Sequence, residues 1–214
     1  MIKMDIENVN QNIERIEKQS LKSLSKQTTL KTTKRSQQKQ LMTRSIILAD
    51  ISGSMRGNKI TGLRKALHDI WSHGIECIAF EAELWEVTQN DISNLQPLGG
   101  THMLEALREG WNKKTPHIIL ITDGQPTDAE DDDILREVYR HREVVIDTIG
   151  LGDYGTHDYN PDLLRQIAET TGGRFIDVGE PIKLTNTLQF LLEYRQTSLS
   201  QGGSGSSTSG AIQL

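Results

Sequence analysis

Residues 45–55 read SIILADISGSM: an apolar run, Ser45–Ala49, that stops on Asp50 and gives way to Ile51-Ser52-Gly53-Ser54-Met55. A short apolar run closed by a turn is a candidate buried strand. Outward from it, the text alternates. Ile60, Leu63, Leu67, Ile70 and Trp71 follow helical spacing, and Ile75–Phe80 is a second strand. Leu84–Val87 follows after only Glu81-Ala82-Glu83, a gap too short for a crossover helix, so this strand is expected to run antiparallel at an edge. His102–Trp111 is helical, with Met103, Leu104, Leu107 and Trp111 on one side, and His117–Thr122 (HIILIT) is a strand ending in Asp123. Residues 130–141 form a helix with Asp131, Asp132 and Asp133 in its first turn, where the dipole favours them. Val144–Ile149 is a strand, Asp162–Thr171 a helix stopped by Gly172-Gly173, Arg174–Val178 a strand and Ile182–Tyr194 a helix. Strands alternating with helices predict an α/β sheet, mostly parallel, with helices on both faces. In such sheets ligands bind beyond the carboxyl ends of the strands, where the strand order reverses.

The rest of the 214 residues has another character. Residues 1–40 carry nine Lys/Arg and four Asp/Glu, whereas 41–195 carry fifteen and twenty-five, and 196–214 carry none. Ile6, Val9, Ile13 and Ile16 predict one amphipathic helix over about 4–25, followed by a Thr/Gln/Lys-rich linker. Residues 1–42 are therefore read as a basic leader and linker and 43–195 as the domain. Residues 196–214 read as a flexible Gly/Ser-rich tail with a frayed end at Ala211–Leu214. The overall charge of −5 argues against nucleic acid as a partner. One cysteine, Cys77, excludes an internal disulfide framework and Cys-rich zinc modules. No apolar run reaches the ~20 residues of a membrane span, and no signal-peptide pattern opens the chain, so a cytoplasmic protein is expected.

Three loop clusters carry chemistry: Asp50-Ile51-Ser52-Gly53-Ser54-Met55, Gly99-Gly100-Thr101, and Thr122-Asp123-Gly124. Asp50, Asp123, Ser52, Ser54 and Thr101 are all oxygen donors, a hard ligand set that suits Mg²⁺ or Mn²⁺ and fits Zn²⁺ or copper poorly. Gly53 is expected to permit the turn, and Gly99-Gly100 a close approach to a ligand. Taken singly, either aspartate is a helix N-cap, the serines are turn formers and Thr101 caps the next helix. His102 is expected on a helix rim, Cys77 in core packing, and Asp128–Asp133 at a solvated helix start. Trp85 is either a surface anchor or a core residue.

Asp-x-Ser-x-Ser, then Thr, then Asp within TDG, each at the right end of its element, resembles the metal-ion-dependent adhesion site of von Willebrand factor type A domains. The resemblance covers about residues 43–195. It implies a Rossmann-like, doubly wound, six-stranded sheet in the order 3-2-1-4-5-6 with one antiparallel edge strand. It also implies a metal site of Asp50, Ser52, Ser54, Thr101 and Asp123. The serines would bind directly, the aspartates largely through water, and Thr101 directly or through water.

The reading that follows is a non-enzymatic binding module, in which bound Mg²⁺ or Mn²⁺ captures an Asp or Glu carboxylate of a protein partner. In many intracellular bacterial members of the family the partner is an AAA+ ATPase. Two alternatives stand beside it. One is a structural assembly component whose metal site only stiffens loops. The other is a Mg²⁺-dependent phosphohydrolase, against which the loops offer no credible base and no Lys at a strand end.

Overall fold

The computed structural model describes residues 44–152, 159–200 and 212–213. The expected leader helix, its linker and most of the Gly/Ser-rich stretch lie outside the described residues. Strands are β1 (Ser45–Asp50), β2 (Glu76–Phe80), β3 (Leu84–Glu86), β4 (His117–Thr122), β5 (Val145–Leu151), β6 (Phe175–Val178) and β7 (Ile212–Gln213). Helices are α1 (Asn58–Ile70), α2 (Met103–Asn112), α3 (Asp131–Arg140), α4 (Pro161–Thr171) and α5 (Leu184–Ser200).

The sheet runs β3-β2-β1-β4-β5-β6-β7, with β3 antiparallel to β2 and every other pair parallel. The expected six strands, order and antiparallel edge are all present. β7, two residues parallel to β6, adds a seventh where a frayed end is expected, because an edge strand offers unpaired N–H and C=O groups to any extended segment. α5 also runs on to Ser200, past the expected boundary at 195.

Strand residues alternate between two packed layers. Ile47, Ala49, Cys77, Ile119 and Ile121 face one core with Leu63 and Leu67 of α1 and Leu188 and Leu191 of α5. Ile46, Leu48, Phe80, Ile118 and Leu120 face the other with Met103 and Leu107 of α2, Ile134 of α3 and Leu163 of α4. Both faces are covered, so β1 and β4 are buried along their whole length and read as unbroken apolar runs. Capping follows the sequence at α4, where Asn160 Oδ1 accepts from Leu163 N at 3.1 Å, Pro161 is the first residue, and Gly172 closes the helix in the left-handed conformation.

A buried polar network ties the amino ends of the strands together. Ser45 Oγ meets His117 Nδ1 at 2.8 Å and His117 Nε2 meets Asp147 Oδ2 at 2.8 Å. Arg195 of α5 grips both oxygens of Asp147, at 2.6 and 3.1 Å, and the Arg174 N–H donates to Oδ1 at 2.7 Å. Burial works against the charged form of Asp147, but the bonds from His117 and Arg195 outweigh it and hold the carboxyl below its ordinary range.

At the opposite end the chain leaves β1 through α1 on one face and leaves β4 through α3 on the other. The connections diverge there, which makes the carboxyl ends of β1 and β4 the point where the strand order reverses and where sheets of this kind form a crevice.

Candidate metal site

Asp50 ends β1 beside Thr122 of β4 and is fully buried. Its Oδ1 accepts from Ser52 N at 2.7 Å, and its Oδ2 accepts from Thr122 Oγ1. Burial pushes this carboxyl up to about 6, despite the lowering effect of the Thr122 and Ser52 bonds, and the Asp123 charge adds to the rise. Asp50 therefore caps no helix; it closes the turn into its own loop.

Ser52 and Ser54 lie side by side, Oγ to Oγ at 2.9 Å, at the start of a 3-10 turn over Gly53–Met55. Ser54 Oγ donates to Asp123 Oδ1 at 2.8 Å, joining the first cluster to the third. Ser52 and Asp123 are buried, while Ser54 is exposed and forms the mouth. Gly53 does not make this turn possible. Its φ is not in the left-handed region, and a Cβ there would meet Gly99 O at an ordinary 3.5 Å. The left-handed residue of the segment is Gly57, φ 76°, just before α1.

Thr101 comes from the second cluster. A Cβ on Gly124 would fall 2.7 Å from Thr101 Oγ1 and 3.4 Å from Ser54 Oγ, so glycine there leaves a small space lined by these two hydroxyls. The expectation for Gly99-Gly100 needs correction. Both glycines approach protein rather than an open ligand position. Gly99, φ 63°, packs on Glu81 and Ala82, and Gly100 packs on Thr127. This close packing seats Thr101: Gly53 N donates to Gly99 O at 3.2 Å, Thr101 N to Thr127 Oγ1 at 2.9 Å, and Thr127 N to Thr101 O at 2.9 Å.

All five sequence-derived residues thus converge at the carboxyl ends of β1 and β4. Among the described residues no group of three or more His, Cys, Asp or Glu is placed to hold a metal, so hydroxyls must supply part of any ligand set here. Hard oxygens, two carboxylates and a space that a methyl group would fill suit a small hard cation.

Sequence reasoning missed Lys59. From the first turn of α1 its Nζ donates to Asp123 Oδ2 at 2.7 Å, with Lys59 5% exposed. No lysine was expected at a strand end, and this one reaches the end of β4 from a helix instead. Lys59 lies on the stripe that continues as Leu63, Ala66 and Ile70, all buried, so the periodicity carried the signal. Also unforeseen was Asp128, whose Oδ2 accepts from Glu105 N at 3.0 Å in the first turn of α2. His102 heads α2 as expected, its Nδ1 3.4 Å from Glu105 Oε2. Asp131–Asp133 open α3, exposed. Cys77 is buried, its thiol pushed up to about 12 by desolvation, and Trp85 is 38% exposed on the edge strand.

The Ser45–His117–Asp147 contacts have the composition of a hydrolase triad but not its arrangement. Arg195 spans the aspartate and Ser45 is 7% exposed, so no nucleophile is presented.

Residues 78–176 match the family model of the von Willebrand factor type A domain. Solved structures share the fold. A von Willebrand factor type A protein from Catenulispora acidiphila aligns at 21% identity and a TM-score of 0.62, over 72% of this chain and 42% of that one. The ArnB paralog VWA2 from Sulfolobus acidocaldarius aligns at 24% and 0.53, over 70% and 44%. Proximal thread matrix protein 1 from the mussel byssus, with a zinc-occupied MIDAS motif, aligns at 17% and 0.55, over 72% and 45%. The chain spans less than half the length of each. No curated protein matches it.

Proposed function

We propose that this von Willebrand factor type A domain is a non-enzymatic protein-binding module. Mg²⁺ or Mn²⁺ would be held by Asp50, Ser52, Ser54, Thr101 and Asp123, and would capture an Asp or Glu carboxylate of a partner. The observation that carries the reading is that Asp50, Ser52, Ser54 and Asp123 are linked by hydrogen bonds while Ser54 and Thr101 line the gap left by Gly124. The zinc-occupied motif of the mussel byssus protein supports a divalent ion. The choice of Mg²⁺ or Mn²⁺ follows from the hard donors. When bound, the ion supplies a concentrated positive charge at the crevice mouth.

The chain's own residues supply the rest. Thr122 and the Ser52 N–H fix Asp50 from both sides, and Thr127 fixes the loop that bears Thr101. A phosphohydrolase would find a useful cation in Lys59. Asp50 has both oxygens engaged and no exposure, which makes it a poor nucleophile and favours binding over turnover. A scaffold role with a merely stiffening metal is the reading to test against.

By family resemblance an AAA+ ATPase is a candidate partner, and a cytoplasmic location is proposed. Among the described residues no helix is long and apolar enough to cross a membrane. We also propose that residues 1–42 are dispensable for the fold and the site, so a chain starting at Thr43 is expected to stay soluble and bind metal.

The test is affinity capture of partners with and without EDTA, followed by titration of the purified pair. Binding is expected to vanish in EDTA, in Asp50→Ala, in Thr101→Ala, and when one acidic residue of the partner becomes Ala. Binding that survives EDTA favours the scaffold. Metal-dependent phosphatase activity lost in Asp50→Ala favours the enzyme.

A further inference from the structure

Lys59 is a buried ammonium for which the metal-binding reading has no use. Its Nζ lies 2.7 Å from Asp123 Oδ2, and the other oxygen of Asp123 accepts from Ser54 Oγ at 2.8 Å. Asp123 is therefore engaged on both sides within the cluster, once by a full positive charge. Asp50 and Asp123 bring two negative charges to the crevice and Lys59 cancels one of them. A dication entering beside Ser52, Ser54 and Thr101 meets a like charge in contact with one of its own ligands, in surroundings that screen less than water. A lysine suits such a place, because its ammonium is a compact point charge on a flexible four-carbon stem that can swing away.

We propose that Lys59 is a tethered cation that competes with the divalent ion for Asp123. It closes the site when no ion is bound and sets the ion concentration needed to open it. The inference rests on the metal-binding reading above. With no ion present, the ammonium keeps Asp123 from facing Asp50 as an uncompensated charge. On loading, Asp123 exchanges the ammonium for the ion or for a water on it. The measured affinity is then the difference between two cations at one carboxylate rather than the full attraction of the site.

The test is calorimetric titration of the full chain with Mn²⁺, for wild type, Lys59→Met and Lys59→Gln, with melting curves in EDTA and in saturating Mn²⁺. Removing the ammonium is expected to tighten Mn²⁺ binding on the order of tenfold or more. The variants are expected to melt below wild type in EDTA and to gain more from Mn²⁺. Equal or weaker Mn²⁺ affinity in the variants, with wild type still binding, overturns the competition and leaves the metal reading standing. No binding by any of the proteins overturns both. Should the variants fail to fold, reductive methylation of Lys59 in wild type, read by mass spectrometry, decides. The rate is expected to rise several-fold at saturating Mg²⁺, and an unchanged rate overturns the proposal.

Discussion

Asp147 and Asp50 are both fully buried carboxylates on parallel strands of one sheet, near opposite ends of it, and their charges are met in opposite ways. At the amino end, Arg195, His117 and a backbone N–H surround Asp147 and hold its carboxyl below the usual range. At the carboxyl end, the partners of Asp50 among the described residues are the Thr122 hydroxyl and Ser52, none of them charged, and burial lifts it to about 6. The first cluster is electrostatically complete and serves to fasten α5 to the sheet. In the second, among the described residues, one ammonium meets one of the two aspartates, and a cation would meet the other.

The strongest way to break this comparison is Arg195→Met. It strips the main partner from a buried charge and is expected to cost on the order of 3 kcal/mol in urea denaturation, while leaving Mn²⁺ affinity unchanged. Adding Asp147→Asn to it should return part of the loss, because no buried charge then remains.

Asp50→Asn is expected to behave in the reverse manner. Asparagine can keep the Ser52 N–H bond and offer an N–H to Thr122, so stability in EDTA should stay within about 1 kcal/mol. At a hundredfold excess over Kd, wild type should gain about 2.7 kcal/mol from Mn²⁺ and the variant nothing. A variant that still gains would remove Asp50 from the site.

Acid titration sharpens the contrast further. The folded pKa of Asp147 lies below its ordinary 3.8, so the unfolded chain takes up the proton first. The stability this carboxylate contributes is present above that value and is lost as pH falls from 3.8 through the folded pKa. Chemical denaturation across that window should show a shallower loss for Asp147→Asn than for wild type.

The smallest expected signal is at Cys77, buried in β2 with its thiol pushed up to about 12. Thiol reagents should reach it only after unfolding. Labelling should quicken in Arg195→Met and stay at the wild-type rate in Asp50→Asn.

The strands were legible because each announces itself locally, and the five candidate ligands because they recur jointly as oxygen donors in three loop clusters. An apolar run covered on both faces reads as a strand, and the turns after two such strands, taken with the Gly-Gly-Thr loop before a helix, read together as a site. Lys59 and Asp147 were harder for one shared reason. Each is a charge whose meaning depends on a partner far along the chain, 64 residues away for Lys59 and Asp123, 48 for Asp147 and Arg195. Both nonetheless left a trace, Lys59 on the buried stripe of α1 and Asp147 inside an apolar strand, where an unpartnered charge would be prohibitive. β7 left none, since two residues are too few to form a pattern.

The place of β1 in the strand order bears on how the chain is made. Its β2 edge can be satisfied by sequence that follows within about a helix and a turn, but its β4 edge waits for residues 72 positions downstream, Ser45 for His117. During synthesis β1 therefore emerges with one edge bare until Thr122 has left the ribosome. Parallel pairings of such separation close slowly, and a nascent or refolding chain holds an apolar, hydrogen-bond-hungry strand open in the meantime. Yield on refolding should accordingly fall with protein concentration, even where the finished domain is stable.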